Sequence, residues 1–466
     1  MPFARKHVLA FLLAALSPAV ALAQSADIAA KTDAVVKSLV VVEFTLRNEN
    51  SSREDAGQGI VLSKEGVILI SGSLINEAYP KEWIHDIKIR LPGKNFESVP
   101  AKMLGRTRNR LFAYLKADKP IDAAPFDPST MADPKLGQTV FSIAMLSKAG
   151  GYQTYIGRSE VRALLELTHT LASTASFGLT KGTSPVFDAT SGNFVGITVP
   201  AMGESMVLRD GGGSRRVEIA DEDQSSAFLP TAEVAPFLKD LPTQPFDLRR
   251  AWLAVDDVTG LQEDVRELKK IDQPAGVMIG TVIPNEAADK AGLKPRDIIL
   301  TMDGKPFSTN PVPEMMALHF SRALEEHKPG DSIKLGVLRG SEKIELPVTL
   351  GTSPRISSEM PHVFSPKTGL VTRDLVFADA YSRRLPQDTK GVMVALVKNG
   401  SPASLGSTPL QPGHLITKVN DVAIENEAQF QEALKAEEAK PDLKEMVFVV
   451  IQRSGETQVC RIDLTK

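Results

Sequence analysis

Residues 275–307 read AGVMIGTVIPNEAADKAGLKPRDIILTMDGKPF, and residues 390–424 read KGVMVALVKNGSPASLGSTPLQPGHLITKVNDVAI. The two stretches share one plan. Each opens on a glycine and an apolar run of strand type, turns at Pro or Gly, and crosses a short Ala-rich segment that exits at Gly-Leu or Pro-Leu. Each then enters a second strand that closes in a tight turn, Asp303-Gly304 in the first and Asn420-Asp421 in the second. A helical segment and one or two more strands finish each copy, SIKLGVLRG with KIELPVTL and MVFVVIQRSG with TQVCRIDL. A plan met twice in one chain predicts two α+β modules in succession.

Upstream of the repeats the texture changes. From Leu39 to about Leu238, short β-branched or alternating runs such as VVVEFTL, GIVLSKEGVILI, TVFSIAM and NFVGITV are separated by Gly, Pro, Asn and Asp. That pattern predicts an all-β barrel or sandwich. Residues 203–226 combine a Gly run with mixed charge and predict a mobile surface loop. TAEVAPFLKDL predicts a short helix, and Pro242 and Pro245 mark an interdomain linker over 242–249.

The chain has 466 residues, which is about three times a usual domain and predicts several hydrophobic cores. With 54 Lys+Arg against 57 Asp+Glu, its formal net charge is -3, so no basic field is available to neutralise a nucleic acid backbone. A basic lead, Arg5-Lys6-His7, precedes the apolar run VLAFLLAALSPAVALA, which ends in small residues. This is the pattern of a cleavable signal peptide over 1–23, cut after Ala23. The run is broken at Ser17-Pro18 and is shorter than the roughly 20 residues a membrane span needs, so no stable membrane anchor is expected. The single cysteine, Cys460, has no partner for an internal disulfide, which suits a periplasmic or secreted chain held by core burial alone.

The repeated pattern resembles the PDZ domain in the circularly arranged form of the bacterial HtrA/Deg proteases. In the first copy Ala291-Gly292-Leu293, then Pro295 and Asp297, is similar to that family's AGLxPGD signature, with Arg296 where the pattern has Gly. The second copy has Pro412-Gly413-His414 at the same turn. The resemblance implies capture of an extended peptide as an added strand, with backbone N–H groups receiving its terminal carboxylate. The matching cradle is Trp252-Leu253-Ala254-Val255 in the first module and Gly369-Leu370-Val371 in the second. Ala254 is expected to permit the turn, provided that no left-handed backbone is required there.

The N-terminal β region resembles the trypsin-like protease of the same family. GQGIVLSKEGVILISGSLI is similar to the strand pair GSGFIIDKDGYILTNNHVI, which ends in the catalytic His, and Ser73 stands at that position. GRTRNRLFAYLKA is similar to the GxDxxxDLAVLK segment that carries the catalytic Asp, and Arg110 stands there. Aligning SPVFDATSGNFVGITV on Pro185 behind GNSGGP puts Gly182 at the nucleophile, while a two-residue deletion would read Ser184 as nucleophile instead. Acyl transfer needs a hydroxyl or thiol, a base and a group that orients the base. The histidines of this region are His85 and His169, each read as a strand or surface residue. Loss of nucleophile or base costs on the order of 10⁶ in turnover, roughly 8 kcal/mol of barrier.

The expected architecture is therefore a trypsin-like double β-barrel over 24–241, the linker, one PDZ domain over 250–352 and a second over 353–466. Its expected function is non-catalytic, with no cofactor and no metal: the resemblance implies binding of polypeptide C-termini or unfolded envelope proteins as a chaperone, adaptor or scaffold. It implies in addition a homo-oligomer, or a hetero-oligomer with an active relative. The alternative is an active serine endopeptidase with a displaced nucleophile.

Overall fold

The computed structural model describes residues 28–465 apart from 92–96, 108–109, 129, 167–168, 176–177, 181, 200–204, 211–212, 219–225, 247–248, 308–312, 387 and 406–407. The signal peptide expected over 1–23 lies outside the described residues. Contacts divide the chain into two compact units, one holding Ala56–Leu74 and Lys88–Ser353 with the chain up to Val42, the other Glu43–Asp55, Ile75–Ile87 and Pro354–Lys466.

Helix α1 (28–36) leads into β1 (Leu39–Asn48), β2 (Ser51–Val61), β3 (Val67–Ser71), β4 (Ile84–Arg90), β5 (Ser98–Arg106) and β6 (Phe112–Ala117). These strands close a barrel in the order β1-β2-β3-β6-β5-β4. A second barrel, ordered β10-β11-β14-β9-β8-β7, follows from β7 (Thr139–Met145), β8 (Thr154–Glu166), β9 (Thr170–Thr174), β10 (Pro185–Asp188), β11 (Phe194–Val199) and β14 (Ser226–Pro230). Closure removes the exposed edges that open sheets present. Strand β3, VILIS, is buried at every residue, which is why it reads as a continuous apolar run rather than an alternation.

Between β11 and β14 the expected mobile loop is instead an antiparallel hairpin of β12 (Ser205–Asp210) and β13 (Gly213–Glu218). Gly213, the last residue of the Gly run, begins β13 and pairs with Asp210. Helix α2 (Thr231–Lys239) follows, as the sequence predicts. The linker segment is docked on the first barrel: Phe246 N–H donates to Leu104 O at 2.8 Å, and its ring packs against Tyr114.

The first repeat module contains β15 (Ala251–Trp252), β16 (Val255–Gly260), α3 (Glu263–Leu268), β17 (Val277–Val282), α4 (Ala287–Lys290), β18 (Ile298–Met302) and β19 (Lys305–Pro306). It is completed by α5 (Pro313–Glu325), β20 (Ser332–Arg339), β21 (Glu342–Thr349) and β22 (Gly351–Thr352). The sheet runs β16-β17-β18-β20-β21, while β15 pairs separately with β22. The second module contains β23 (Val363–Ser365), β24 (Leu370–Asp374), α6 (Phe377–Ser382), β25 (Val392–Val397), α7 (Pro402–Leu405), β26 (Leu415–Val419) and β27 (Val422–Ala423). After α8 (Glu427–Glu438) come β28 (Glu445–Ile451) and β29 (Thr457–Asp463), and the sheet runs β23-β24-β25-β26-β28-β29. Cys460 is wholly buried in its core with Phe430 and Phe448, where the thiol acts as a small hydrophobe and burial pushes its pKa up.

Helix α5 serves two cores at once. Met316, Phe320 and Leu324 belong to the core of the first module, whereas the adjacent Met315 is buried in the cluster that fills the barrels. Arg322, on the same helix, donates to both carboxylate oxygens of Glu233 in α2, at 2.9 and 3.1 Å.

Candidate functional site

Strand β3 runs into Gly72 and Ser73, and β6 is entered from Arg110. Ser71 pairs with Phe112, and Gly72 N–H donates to Leu111 O at 2.7 Å, so the two segments meet as in a barrel protease. A Cβ on Gly72 would lie 2.1 Å from the carbonyl oxygen of Arg110, and only glycine permits that approach. Ser73 is exposed, and its Oγ lies 2.8 Å from Ser71 Oγ. Arg110 holds a left-handed backbone at φ +60°. Gly182 offers no side chain on the loop that precedes β10.

Ser184, the displaced-nucleophile candidate, is wholly buried. Gln58 of β2 donates from Nε2 to Thr183 O at 2.8 Å and to Ser184 Oγ at 3.2 Å, while its Oε1 accepts the Met145 N–H at 2.8 Å. The Met145 N–H fixes the orientation of this amide, because a flipped amide would set two donors against each other. An amide NH₂ cannot take the hydroxyl proton of Ser184. The neighbouring Thr183 Oγ1 is buried without a hydrogen-bond partner among the described residues. Sequence reading passed over Gln58. Its signal was the long polar side chain between Gly57 and Gly59, where the family pattern has a serine.

Among the described residues neither histidine is tied to that loop by a hydrogen bond of its own. His85 lies in β4. His169 sits ahead of β9 with Nδ1 3.4 Å from Glu233 Oε2. Burial raises the Glu233 carboxyl, but bonds from His169, the Thr170 N–H and Arg322 outweigh it and hold the pKa at about 2. His169, Glu233, Arg322, Tyr114 and Phe246 line a cavity of about 900 Å³, which none of Ser73, Arg110, Gly182 and Ser184 reaches.

The two PDZ modules differ at their cradles. In the first, Leu253 and Ala254 direct their carbonyls inward, accepting from Ala288 N–H at 2.9 Å and Ile283 N–H at 3.0 Å. Their own N–H groups meet no acceptor among the described residues. Val255 begins β16, which pairs with β17 on one edge and is hydrogen-bonded to no other strand among the described residues, although β12 approaches it. Helix α5 packs along β16, as the helix beside a PDZ peptide-accepting strand does. Ala254 does need a left-handed backbone, φ +65°, contrary to the condition attached to it, and the residue is held there by complete burial.

In the second module the expected cradle is closed. Gly369 N–H donates to Ser365 O at 2.8 Å, and Leu370 N–H to Thr368 Oγ1 at 3.3 Å. Leu370 and Val371 face Ser365 and Phe364 of β23 on one edge and β25 on the other. Gln431 of α8 then bonds Ser365 Oγ at 3.3 Å, so β23 lies where a peptide strand would be added. The spacing that located Gly369-Leu370-Val371 carried no information about the strand folded back in front of it.

Comparison with known proteins matches a PDZ domain model to residues 255–350. A probable periplasmic serine endoprotease, DegP-like, of Pseudomonas savastanoi pv. phaseolicola is 26% identical, covering 82% of this chain and 74% of the relative. The periplasmic pH-dependent serine endoprotease DegQ of Escherichia coli is likewise 26% identical, over 83% of this chain and 77% of the relative. Among solved structures, the HtrA-type protease AlgW with tripeptide has a TM-score of 0.50 at 18% identity, covering 70% of this chain and 98% of that one, a likeness of fold. Two closed barrels ahead of a PDZ module, with relatives along most of its length that are DegP-like endoproteases, make this chain similar to the HtrA/Deg proteins in both sequence and architecture.

Proposed function

We propose that this chain is a non-catalytic HtrA/Deg protein that holds free polypeptide C-termini or unfolded segments in its first PDZ groove. The reading assigns Ser73, Arg110 and Gly182 to the three triad positions, and the observation that carries it is that the Leu253 and Ala254 N–H groups meet no acceptor among the described residues. A serine and an arginine supply no base and no carboxylate to orient one, and glycine supplies no nucleophile. The cradle offers two backbone donors beside an unpaired strand edge, which is what recognition of a terminal carboxylate requires. The periplasmic names of its relatives and the N-terminal pattern support a role in the bacterial envelope, as a chaperone, adaptor or scaffold, alone or assembled with an active relative. Digestion of casein by the purified mature protein, with Ser184→Ala beside it, tests the reading. Neither protein is expected to hydrolyse it; turnover abolished by Ser184→Ala would overturn the proposal.

A further inference from the structure

A second cavity, of about 260 Å³, lies wholly within the unit that contains the second PDZ module. Three arginines line it, Arg373, Arg383 and Arg453, with one carboxylate, Asp379. That carboxylate is committed: Arg373 grips it with two bonds of 2.6 and 3.0 Å, and the Val376 N–H adds a third at 3.1 Å. Arg453 donates to Pro412 O at 3.2 Å, its one hydrogen bond among the described residues, and lies so close over Gly413 that a Cβ there would be 2.4 Å from its Nε. Arg383 Nη1 is buried and has no hydrogen-bond partner among the described residues. The apolar side of the cavity is made by Trp83 and Met393.

A buried guanidinium nitrogen without an acceptor is costly, more so than a neutral group, and native structures rarely leave one. Arg383, half-buried, and Arg453, exposed, converge on the cavity beyond the pair already neutralised, and an anion there would supply the acceptor that Arg383 Nη1 lacks. The neighbouring histidines report the same field. His414 is pushed down by burial and then by Arg383 and Arg453. His362 is pushed down by burial and by Arg373, against the Met360 carbonyl, Glu82 and Glu49. Guanidinium groups match planar or tetrahedral oxyanions with parallel charge-assisted bonds.

We propose that this cavity binds a small oxyanion group, a phosphate or a carboxylate, between Arg383 and Arg453, with the apolar part of the ligand against Trp83 and Met393. The site is separate from the cradle of the first module and does not depend on how that cradle is used.

The experiment titrates the mature full-length protein with inorganic phosphate and, in parallel, acetate, each against sodium chloride of equal ionic strength. Binding is read by calorimetry and by the NMR titration of His414. Saturable binding of at least one anion is expected, with a rise in the His414 pKa as the arginine charges are neutralised. The double variant Arg383→Met/Arg453→Met is expected to bind at least tenfold more weakly. Phosphate binding alone would assign a phosphate ligand, acetate binding alone a carboxylate. The proposal is overturned if neither anion binds beyond the chloride control, or if the double variant binds as the parent does. The His414 titration is made on the parent protein, so an unchanged His414 pKa at 50 mM of either anion, roughly physiological ionic strength or below, overturns it even if the variant does not fold.

Discussion

Gln58 Nε2 donates to Ser184 Oγ across 3.2 Å, so the hydroxyl read as the displaced nucleophile is held by a structural amide. The same side chain bonds Thr183 O and the Met145 N–H, and the loop before β10 is thereby pinned to β2 and β7.

Replacing Gln58 by Ala removes all three bonds and leaves partly buried donors and acceptors unsatisfied. A loss of about 1–3 kcal/mol is expected in urea unfolding. Thr183→Val should act in the opposite direction, by up to about 1 kcal/mol, because it removes a buried hydroxyl that has no partner. A Gln58→Ala protein as stable as the parent would show that the loop is held by something else.

Ala254 and Arg296 both adopt left-handed backbones, φ +65° and +69°, at positions where the family pattern has glycine. The second module keeps glycine at the latter turn, Gly413 with φ +93°. A non-glycine residue in that region costs roughly 1–2 kcal/mol, and glycine gives back about half of that in unfolded-chain entropy. Arg296→Gly, on the surface, should therefore raise stability by about 0.5–1 kcal/mol, and Ala254→Gly by a similar amount, each read as a shift in the urea midpoint. An unchanged or lowered midpoint for Arg296→Gly would show that no strain is stored there.

The PDZ plan was legible because its punctuation is local. Gly292, Pro295 and Asp297 sit within a few residues of one another, and Asp297 is buried, bonded to the Lys294 N–H and twice to Arg339. The barrels were legible from strand spacing. What stayed hidden depends on distant chain meeting chain. Gln58 meets Ser184, Ser365 meets Gln431, and Arg383 meets Arg453, and no periodicity encodes such pairs. The hairpin of β12 and β13 was missed for another reason, since three consecutive glycines were weighed above the alternation on either side of them.

The second module should lose stability as pH rises. Burial lifts the Glu427 carboxyl to about 7, with Asp374 adding to it against bonds from Gln431 and Thr372. Its folded value exceeds the unfolded one, near 4.5, so the native state holds the extra proton between them. The associated stability is complete below about 4.5 and is lost as pH climbs through about 7, on the order of 3 kcal/mol. Urea unfolding between pH 4.5 and 8 should follow this fall, and Glu427→Gln should flatten it. A variant with the parent's slope would assign the dependence to other groups.

Peptide binding should be one per chain. The first cradle has free donors, while the second has its N–H groups bonded to Ser365 and Thr368. Calorimetry with a peptide bearing a free C-terminus should give a stoichiometry near one, and amidating that terminus should weaken binding at least about tenfold, as expected for losing hydrogen bonds to a charged group. Two equivalent sites would show that β23 yields its place.

Met315 and Met316 are consecutive residues of one helix, yet each is embedded in a different hydrophobic interior. Helix α5 is consequently a common wall, with the core of the first module on one face and the barrels on another. A guest that shifts this wall from the side of the first module would disturb the barrel interior, and a change in the barrel interior would shift the wall. Occupancy and barrel conformation are thus reciprocal, and that linkage persists whether or not any peptide bond is ever cut.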